Sequence, residues 1–242
     1  MSLAIVSDVH GNLSALDAVA ADIERRGVQR VFHGGDLALG GCQPGEVIDR
    51  VRELGWAGVV GNTDELLWRP EKFEAQLERA PKLADLLRVI FERYRPATLA
   101  RLGAERVAWL RGLPEHQRSG GLLLLHASPG DLWRAPMRDA TDEELLALYS
   151  ACDAELVVYG HIHVPFVRPV GPFTVANSGS VGSPYDGDPR ACYLLVEEAR
   201  VEIVRVEYDV EQEVALLLAS DYPGREHIAQ VRRSGRYVPP GT

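Results

Sequence analysis

The sequence of 242 residues predicts an α/β fold, and three features of the chain lead to that prediction. The first third alternates short β-branched runs with longer amphipathic stretches, an order typical of parallel βαβ units with right-handed crossovers. Five apolar runs along the chain each end in residues that can bind a metal or a phosphate. With 46% hydrophobic and 25% charged residues, the composition is that of a globular protein large enough to bury its own core.

The first third of the chain is predicted to contain three strands and two helices. Apolar residues recur with the helical period in both longer stretches, and Gly27 and Gly55 follow them, as glycine often does at a helix end. In chain order the predicted elements are a strand at 3–7, a helix at 13–26, a strand at 30–33, a helix at 46–54 and a strand at 57–60.

Residues 65–118 change to long helical stretches rich in Leu, Arg and Glu, and we expect them to form a helical cap. Strands then resume and dominate the C-terminal third. The predicted elements there are strands at 121–125, 155–159, 164–169, 173–176, 191–197 and 201–208, helices at 141–149 and 210–219, and a polar tail at 237–242. Since no linker or repeat interrupts the chain, residues 1–242 are predicted to form one domain.

Charge and cysteine content argue against several classes of protein. The net charge of −9 comes without a basic stripe, so extended nucleic acid is not an expected partner. The three cysteines are far apart and lack metal-site spacing, which suggests reduced thiols. No apolar run approaches the roughly 20 residues of a membrane span, and the first is too short for a signal peptide. We therefore expect a cytoplasmic protein without membrane contact, and the sequence leaves homo-oligomer formation open.

The five apolar runs carry the residues on which the functional interpretation depends. In order, the runs lead into Asp8 and His10, into Gly35 and Asp36, into Gly61 and Asn62, into His126, and into Gly160, His161 and His163. Because the carboxyl ends of parallel strands lie along one edge of a sheet, these distant residues are expected to meet there. Side chains alternate along an extended segment, so each Asp-x-His or His-x-His pair would share one face.

These side chains predict a centre for two divalent metal ions. Imidazole nitrogens and carboxylate oxygens suit Mn²⁺, Zn²⁺, Fe²⁺ or Ni²⁺. One aspartate can bridge two ions about 3.5–4 Å apart, the separation found in hydrolytic two-metal sites. Two such ions against the charges of Asp8 and Asp36 leave a local charge of roughly +2, which would attract a phosphate anion to an acidic protein.

The five motifs together resemble the pattern of the calcineurin-like metallophosphoesterase superfamily, which reads D-x-H, G-D, G-N-[HD], a later H and G-H-x-H. The likeness is strongest to the small bacterial and archaeal phosphodiesterase branch, in which loops like 177–182 also occur. The resemblance implies a layered fold with a two-sheet sandwich core flanked by helices. It also implies hydrolysis of small phosphodiesters by in-line attack of a metal-bridging hydroxide, with two divalent ions, Mn²⁺ first and Fe, Zn, Ni or Mg as alternatives.

The resemblance also implies a role for each matching residue. The first metal would be held by Asp8, His10 and His163, the second by Asn62, His126 and His161, and Asp36 would bridge them. Asp36, Asn62 and His126 would take part in catalysis. Protonation of the leaving group would come from Asp64 or from a metal-bound water, or it would be absent or unnecessary. The loop residues Asn177, Ser178 and Ser180 are expected either near the phosphate or in an ordinary turn.

Two departures from the pattern narrow the expected function. Many members place His after the Asn, as an acid towards the leaving group, whereas this chain has Thr63, which favours diesters or esters with good leaving groups. Residues 37–41 lack the phosphate-gripping Arg that protein phosphatases and dinucleoside tetraphosphate hydrolases carry after G-D. The alternatives are a phosphomonoesterase, a protein or dinucleoside-polyphosphate phosphatase, a DNA nuclease and a non-catalytic scaffold. His33 is interpreted as an ordinary polar residue, or as a support for Asp36.

Overall fold

The computed structural model describes residues 2–198 and 200–239, and in them the strands form two mixed five-stranded sheets. The first sheet has the order β10-β9-β1-β2-β3. Its strands are β1 (Ser2–Val6), β2 (Arg30–His33), β3 (Ala57–Gly58), β9 (Ala191–Glu197) and β10 (Arg200–Val206). β1, β2 and β3 run parallel, as the alternating pattern predicts, whereas β9 pairs antiparallel with both β1 and β10.

The second sheet has the order β4-β5-β6-β8-β7. Its strands are β4 (His116–Ser119), β5 (Leu122–Leu125), β6 (Leu156–Tyr159), β7 (Phe166–Val170) and β8 (Phe173–Asn177). β5, β6 and β8 run parallel, and the edge strands β4 and β7 run antiparallel to their neighbours. The five apolar runs with metal-binding ends are therefore divided between two sheets, and the expectation of a single shared sheet edge is wrong.

An apolar core joins the two sheets. Ile5, Phe32 and Leu194 of the first sheet pack in one buried cluster with Leu124 and Val158 of the second. Side chains of a strand alternate between its two faces, so the outer face of each sheet must also be covered by other elements. The predicted two-sheet sandwich flanked by helices is thereby confirmed.

Helices cover the outer faces of both sheets. The first sheet is covered by α1 (Leu13–Arg25), α2 (Pro44–Glu53), α8 (Val210–Ala219) and α9 (Arg225–Ser234), and the second by α7 (Asp142–Tyr149). α1 begins at Asn12, whose side chain accepts a hydrogen bond from Ala15 N at 3.0 Å, the geometry of an N-cap. This cap fixes the start of α1 directly after the first metal motif.

The predicted cap consists of short helices. They are α3 (Asn62–Leu66), α4 (Lys72–Arg79), α5 (Ala84–Val89), a π-helical turn (Ile90–Tyr94) and α6 (Arg95–Arg111). The expectation of helix up to about residue 118 is wrong at its end, because His116–Ser119 is an edge strand.

Two further parts of the C-terminal region differ from the prediction or lie beyond it. Helix α9 was not predicted at all. The predicted polar tail at 237–242 lies outside the described residues from 240 onwards. Among the residues that the structure describes, no helix combines the length and apolar character needed to cross a membrane.

Candidate metal centre

The predicted ligands meet where the carboxyl ends of β1, β2, β3, β5 and β6 converge. Asp8, His10 and His163 have ligand atoms within 4.8 Å of one another, and so do Asp8, Asp36 and His126. His10 Nε2 lies 3.2 Å from His163 Nε2, and His163 Nε2 lies 3.3 Å from Asp8 Oδ1. The three predicted ligands of the first metal thus form one compact cluster.

The predicted ligands of the second metal form a neighbouring cluster around Asn62. The Oδ1 atom of Asn62 lies 2.8 Å from His126 Nε2 and 2.9 Å from His161 Nδ1. Asp36 lies between the clusters, with Oδ2 3.8 Å from His10 Nε2 and Oδ1 3.6 Å from His126 Nε2. One carboxylate oxygen therefore faces each cluster, which is the arrangement that a bridging aspartate requires.

Hydrogen bonds fix which imidazole nitrogens face the clusters. The Nδ1 atoms of His10, His126 and His163 lie 2.6, 2.7 and 2.6 Å from the backbone carbonyl oxygens of Leu39, Gly34 and Ser183. A carbonyl oxygen only accepts, so each Nδ1 carries a proton, and the neutral form of each ring turns its Nε2 lone pair inwards. Two such lone pairs 3.2 Å apart, at His10 and His163, repel each other unless a cation lies beside both. The donor set therefore fits a metal ion.

The pKa values of two ligands agree with neutral imidazoles. Burial, followed by the influence of His163, lowers the pKa of His10 to about 4. Burial and then His126 lower the pKa of His161 to about 4. For His126, burial acts to lower the pKa, but the Asp36 and Asp8 carboxylates outweigh it and the pKa is raised. His10 and His161 are thus neutral at pH 7, the form that binds metals.

Strained backbone is concentrated at the same residues. Seven non-glycine residues in the described parts of the chain have positive φ, and five of them are predicted ligands. These are Asp8, His10, Asp36, His161 and His163, with φ of 58°, 50°, 53°, 66° and 57°. Such conformations cost about 1–3 kcal/mol each and persist at functional sites, where the surrounding structure enforces them. Strain at five positions in one place indicates that these loops are built for a ligand and not for stability.

Asp64 does not occupy the position of a proton donor. Its fully buried carboxylate accepts hydrogen bonds from the backbone N–H groups of Asp36, Leu37 and Gly61, at 2.7, 3.1 and 3.2 Å. Burial and the adjacent Asp36 carboxylate raise the pKa of Asp64 to about 7. The structure corrects the predicted catalytic role: Asp64 of α3 ties the loop that carries Asp36 to Gly61, the residue before Asn62.

The loop residues expected near the phosphate point into the protein instead. Asn177, Ser178 and Ser180 are buried. Asn177 donates to the Gly160 carbonyl at 2.5 Å, Ser178 to the Tyr159 carbonyl at 3.5 Å, and Ser180 to the Asp8 carbonyl at 2.6 Å. The expectation of a phosphate contact is thereby corrected, because these side chains hold the backbone that presents Asp8 and His161.

Thr63 and His33 are both buried beside the centre without side-chain hydrogen bonds among the described residues. The backbone N–H of Thr63 donates to Asp36 Oδ1 at 2.9 Å, so Thr63 holds the central carboxylate through its main chain. The ring of His33 packs 6.0 Å from that of Trp109, and neither of its nitrogens contacts Asp36. Neither interpretation of His33 is confirmed, because its ring is buried against Trp109 and both nitrogens lack a hydrogen-bond partner among the described residues.

Three residues near the first cluster were missed by the sequence interpretation. The ring of Tyr185 lies 4.4 Å from that of His163. Arg232 and Tyr222 contact the loops that carry and orient His10. Tyr185 follows the loop 177–182 and was within reach of sequence reasoning, whereas the other two lie in a region without a motif.

The protein has a layered two-sheet fold with two groups of His, Asp and Asn side chains that could hold metal ions. A family model described as a calcineurin-like phosphoesterase superfamily domain matches residues 1–200. The chain belongs to this superfamily, which confirms the resemblance found in the motifs. Members of the superfamily usually bind divalent metals, as the two clusters here suggest.

Proteins similar over nearly the whole chain come from bacteria and archaea. An uncharacterized protein of Methanocaldococcus jannaschii is 29% identical over 244 aligned residues, covering 91% of this chain and 93% of its own. The crystal structure of a metallophosphoesterase from Sphaerobacter thermophilus is 28% identical, with a TM-score of 0.78, covering 97% of this chain and all of its own. A hypothetical protein from Pyrococcus horikoshii, 20% identical with 98% and 99% coverage, shares the fold at a TM-score of 0.83.

Proposed function

We propose that this protein is a metal-dependent phosphodiesterase that acts on small phosphodiesters. One observation carries the proposal: two clusters of imidazole, amide and carboxylate groups lie side by side, with Asp36 directing one oxygen towards each. Membership of the phosphoesterase superfamily supports the reaction class. The acidic charge of −9 favours a small substrate over an extended nucleic acid.

The residues that would hold the metals are Asp8, His10 and His163 at the first site, Asn62, His126 and His161 at the second, and Asp36 at both. When bound, two divalent ions lower the pKa of a coordinated water and offset the negative charge on the phosphoryl group. Mn²⁺ is the proposed metal because the carboxylate and amide oxygens suit it, with Zn²⁺, Fe²⁺ and Ni²⁺ as alternatives that the imidazole nitrogens suit.

The protein groups around the centre keep this donor set rigid. The Nδ1–H groups of His10, His126 and His163 donate to backbone carbonyls, which prevents the rings from turning. The backbone N–H of Thr63 and the loops tied by Asp64 hold Asp36 between the clusters. A ligand set held in this way needs little rearrangement when a substrate binds.

Two features favour a diester over a monoester. Thr63, at the position where many superfamily members have histidine, has a buried hydroxyl and cannot protonate a leaving alkoxide at neutral pH. The segment after Asp36 adds no cation, because Leu37, Ala38 and Leu39 are buried apolar residues. A diester carries one negative charge and a monoester carries nearly two, so the diester depends less on an additional cation to bind.

The test is hydrolysis of bis-p-nitrophenyl phosphate and p-nitrophenyl phosphate by metal-free protein supplied with Mn²⁺. We expect the diester to have the higher kcat/KM. In Asp36→Asn, kcat/KM should fall more than about 100-fold, since mutation of a residue that only hydrogen-bonds to a metal ligand typically reduces metal affinity or activity 10- to 100-fold. Asn tolerates the left-handed backbone at position 36, where φ is 53°, so the variant should still fold.

A matched control is Asp22→Asn, which neutralises another buried carboxylate, one bonded to Arg26 and Tyr193 outside the centre. Its activity should stay within a few-fold of wild type. Inactivity of wild-type protein with Mn²⁺, Zn²⁺, Fe²⁺, Ni²⁺ and Mg²⁺ would overturn the enzymatic proposal. A monoester preference would overturn the substrate class alone.

A further inference from the structure

The helical pair α8 and α9 lies beyond residues 1–200, yet one of its side chains reaches the loop that carries the first metal motif. Arg232 of α9 has no exposed surface. A buried guanidinium carries a large desolvation cost unless its partners compensate for it. Nε and Nη1 of Arg232 have no hydrogen-bond partner among the described residues, so the polar contacts of this side chain are concentrated at Nη2.

The partners of Arg232 are two backbone carbonyls next to His10. Its Nη2 atom donates to the carbonyl oxygen of His10 at 2.8 Å and to that of Gly40 at 3.2 Å. The ring of His10 is oriented by its Nδ1–H, which donates to the carbonyl of Leu39, the residue before Gly40, at 2.6 Å. A single nitrogen of Arg232 thus ties the residue that bears the ring to the loop that orients the ring.

Tyr222 holds the same loop from its other side. Its hydroxyl accepts a hydrogen bond from Gly40 N at 3.1 Å and lies 2.9 Å from Thr98 Oγ1. A Cβ atom at Gly40 would lie 3.4 Å from His10 Nδ1, so the ring packs directly on this glycine. Arg232 and Tyr222 therefore fix the N–H and C=O groups of the residue against which His10 rests.

Glu213 of α8 is a second buried polar residue in the region of Arg232. Glu213 has no exposed surface, and its Oε2 accepts from Ser14 Oγ at 2.8 Å. Burial raises the pKa of Tyr208, on which Arg232 and Glu213 act in opposite directions, so both charges lie near that phenol. The two helices thus contribute one charge each to the region behind the first cluster.

We infer that Arg232, supported by Tyr222, is a positioning residue for the first metal site. It acts on the backbone that sets the place, tautomer and orientation of His10, and the C-terminal helices are thereby part of the metal centre. The inference rests on the proposed two-metal function. Groups that orient a metal ligand commonly contribute 10- to 100-fold to metal affinity, and we expect an effect of that size here.

The test measures Mn²⁺ bound per chain by equilibrium dialysis of metal-free protein against a series of MnCl₂ concentrations. Wild type should take up two ions. Arg232→Met should need about 10- to 100-fold more Mn²⁺ for one of the two and keep the other. Arg232→Lys should lie between, because an ammonium restores charge and donors without the guanidinium geometry.

The control is Arg233→Met on the same helix, which removes an exposed ion pair with Glu211 and should leave both ions bound as in wild type. If circular dichroism shows that Arg232→Met is unfolded, Tyr222→Phe is the deciding variant. Its affinity for one of the two ions should be several-fold lower than that of wild type. Unchanged binding in a folded Arg232→Met, or in Tyr222→Phe where that variant decides, would overturn the inference. Wild-type protein that binds no Mn²⁺ would overturn the proposed function and this inference with it.

Discussion

At the scale of single residues, the left-handed backbone at the predicted ligands reduces stability, which suggests that these side chains are kept for metal binding. His161 has φ of 66°, and its backbone N–H donates to both oxygens of Asp8 at 3.2 and 3.1 Å. An L-residue with a Cβ atom loses roughly 1–2 kcal/mol in this conformation, whereas glycine loses almost none. The side chain of His161 is thus kept although the backbone conformation at this position favours glycine.

Replacing His161 by Gly and by Ala measures this strain. Alanine normally stabilises a protein relative to glycine. Here we expect the free energy of unfolding of His161→Gly to be about 1 kcal/mol higher than that of His161→Ala, because only Ala keeps the strain. Both variants lack the imidazole next to Asn62 and should bind the second metal weakly. Urea unfolding in EDTA gives the free energies of unfolding. A more stable Ala variant would contradict the strain argument.

At the scale of elements, the loops after β2 and β3 approach so closely that a side chain at Gly61 has no room. A Cβ atom there would lie 2.0 Å from Asp36 Oδ1 and 2.4 Å from Asp36 N. The φ of Gly61 is −100°, which any residue can adopt, so the restriction comes entirely from space. The two strands thus bring Asp36 and Asn62 together through a glycine contact.

Gly61→Ala should therefore displace Asp36 as well as reduce stability. We expect a loss of about 1–3 kcal/mol, as for other overpacked sites, together with loss of Mn²⁺ binding. Gly27→Ala is the control: its φ is +65° and no atom lies within 4 Å of the added Cβ, so it should cost about 1 kcal/mol and leave the metals bound. Normal Mn²⁺ uptake by Gly61→Ala would show that the loops can separate without disturbing Asp36.

Elements with a clear hydrophobic period could be predicted from sequence, and those without one could not. β1, β2 and α1 were predicted close to their observed bounds because their apolar residues fall on one face or form a buried run. Helix α9 also buries one face, but that face has only the apolar residues Ile228, Ala229 and Val231 together with the charged Arg232, so its pattern was not recognised as helical. β4 is a polar edge strand with half its residues exposed.

The same limit applies to the candidate site. The positions of Asp8, Asp36, Asn62, His126 and His163 could be recognised as candidate metal ligands because each follows an apolar run, and the structure brings these side chains together. Sequence reasoning did not reveal that Asp64, in the first turn of α3, and Ser180, in a loop, turn inwards, because neither lies in a segment with a periodic pattern long enough to show its buried face. It also could not divide the five runs between two sheets, since that division depends on pairing between distant strands.

At the scale of the whole molecule, the stability of the metal-free protein depends on pH through buried imidazoles inside and outside the metal centre. Buried His10 and His161 have pKa values lowered to about 4, and burial lowers the pKa of His33 to about 3. In the unfolded chain each would titrate near 6.5. Between pH 6.5 and these folded values, the unfolded state binds protons that the folded state does not. Asp64 and His126, whose pKa values are raised, act in the opposite direction, because the folded state binds their protons more readily than the unfolded state does. The three imidazoles are the larger group, and the metal-free protein should therefore lose stability as pH falls through this window.

His33 allows the contribution of one buried imidazole to be isolated without touching a predicted ligand. It lies on β2 against Trp109 of α6, and its nitrogens have no hydrogen-bond partner among the described residues, so His33→Phe breaks no bond. Phe does not titrate. As pH falls from 6 to 4, the free energy of unfolding should decrease less steeply in the variant than in wild type, by up to about 1.4 kcal/mol per pH unit. The measurement is urea unfolding in EDTA at several pH values. Equal slopes for the two proteins would mean that His33 binds its proton in the folded state, and that the sheet and helix around it open to admit water.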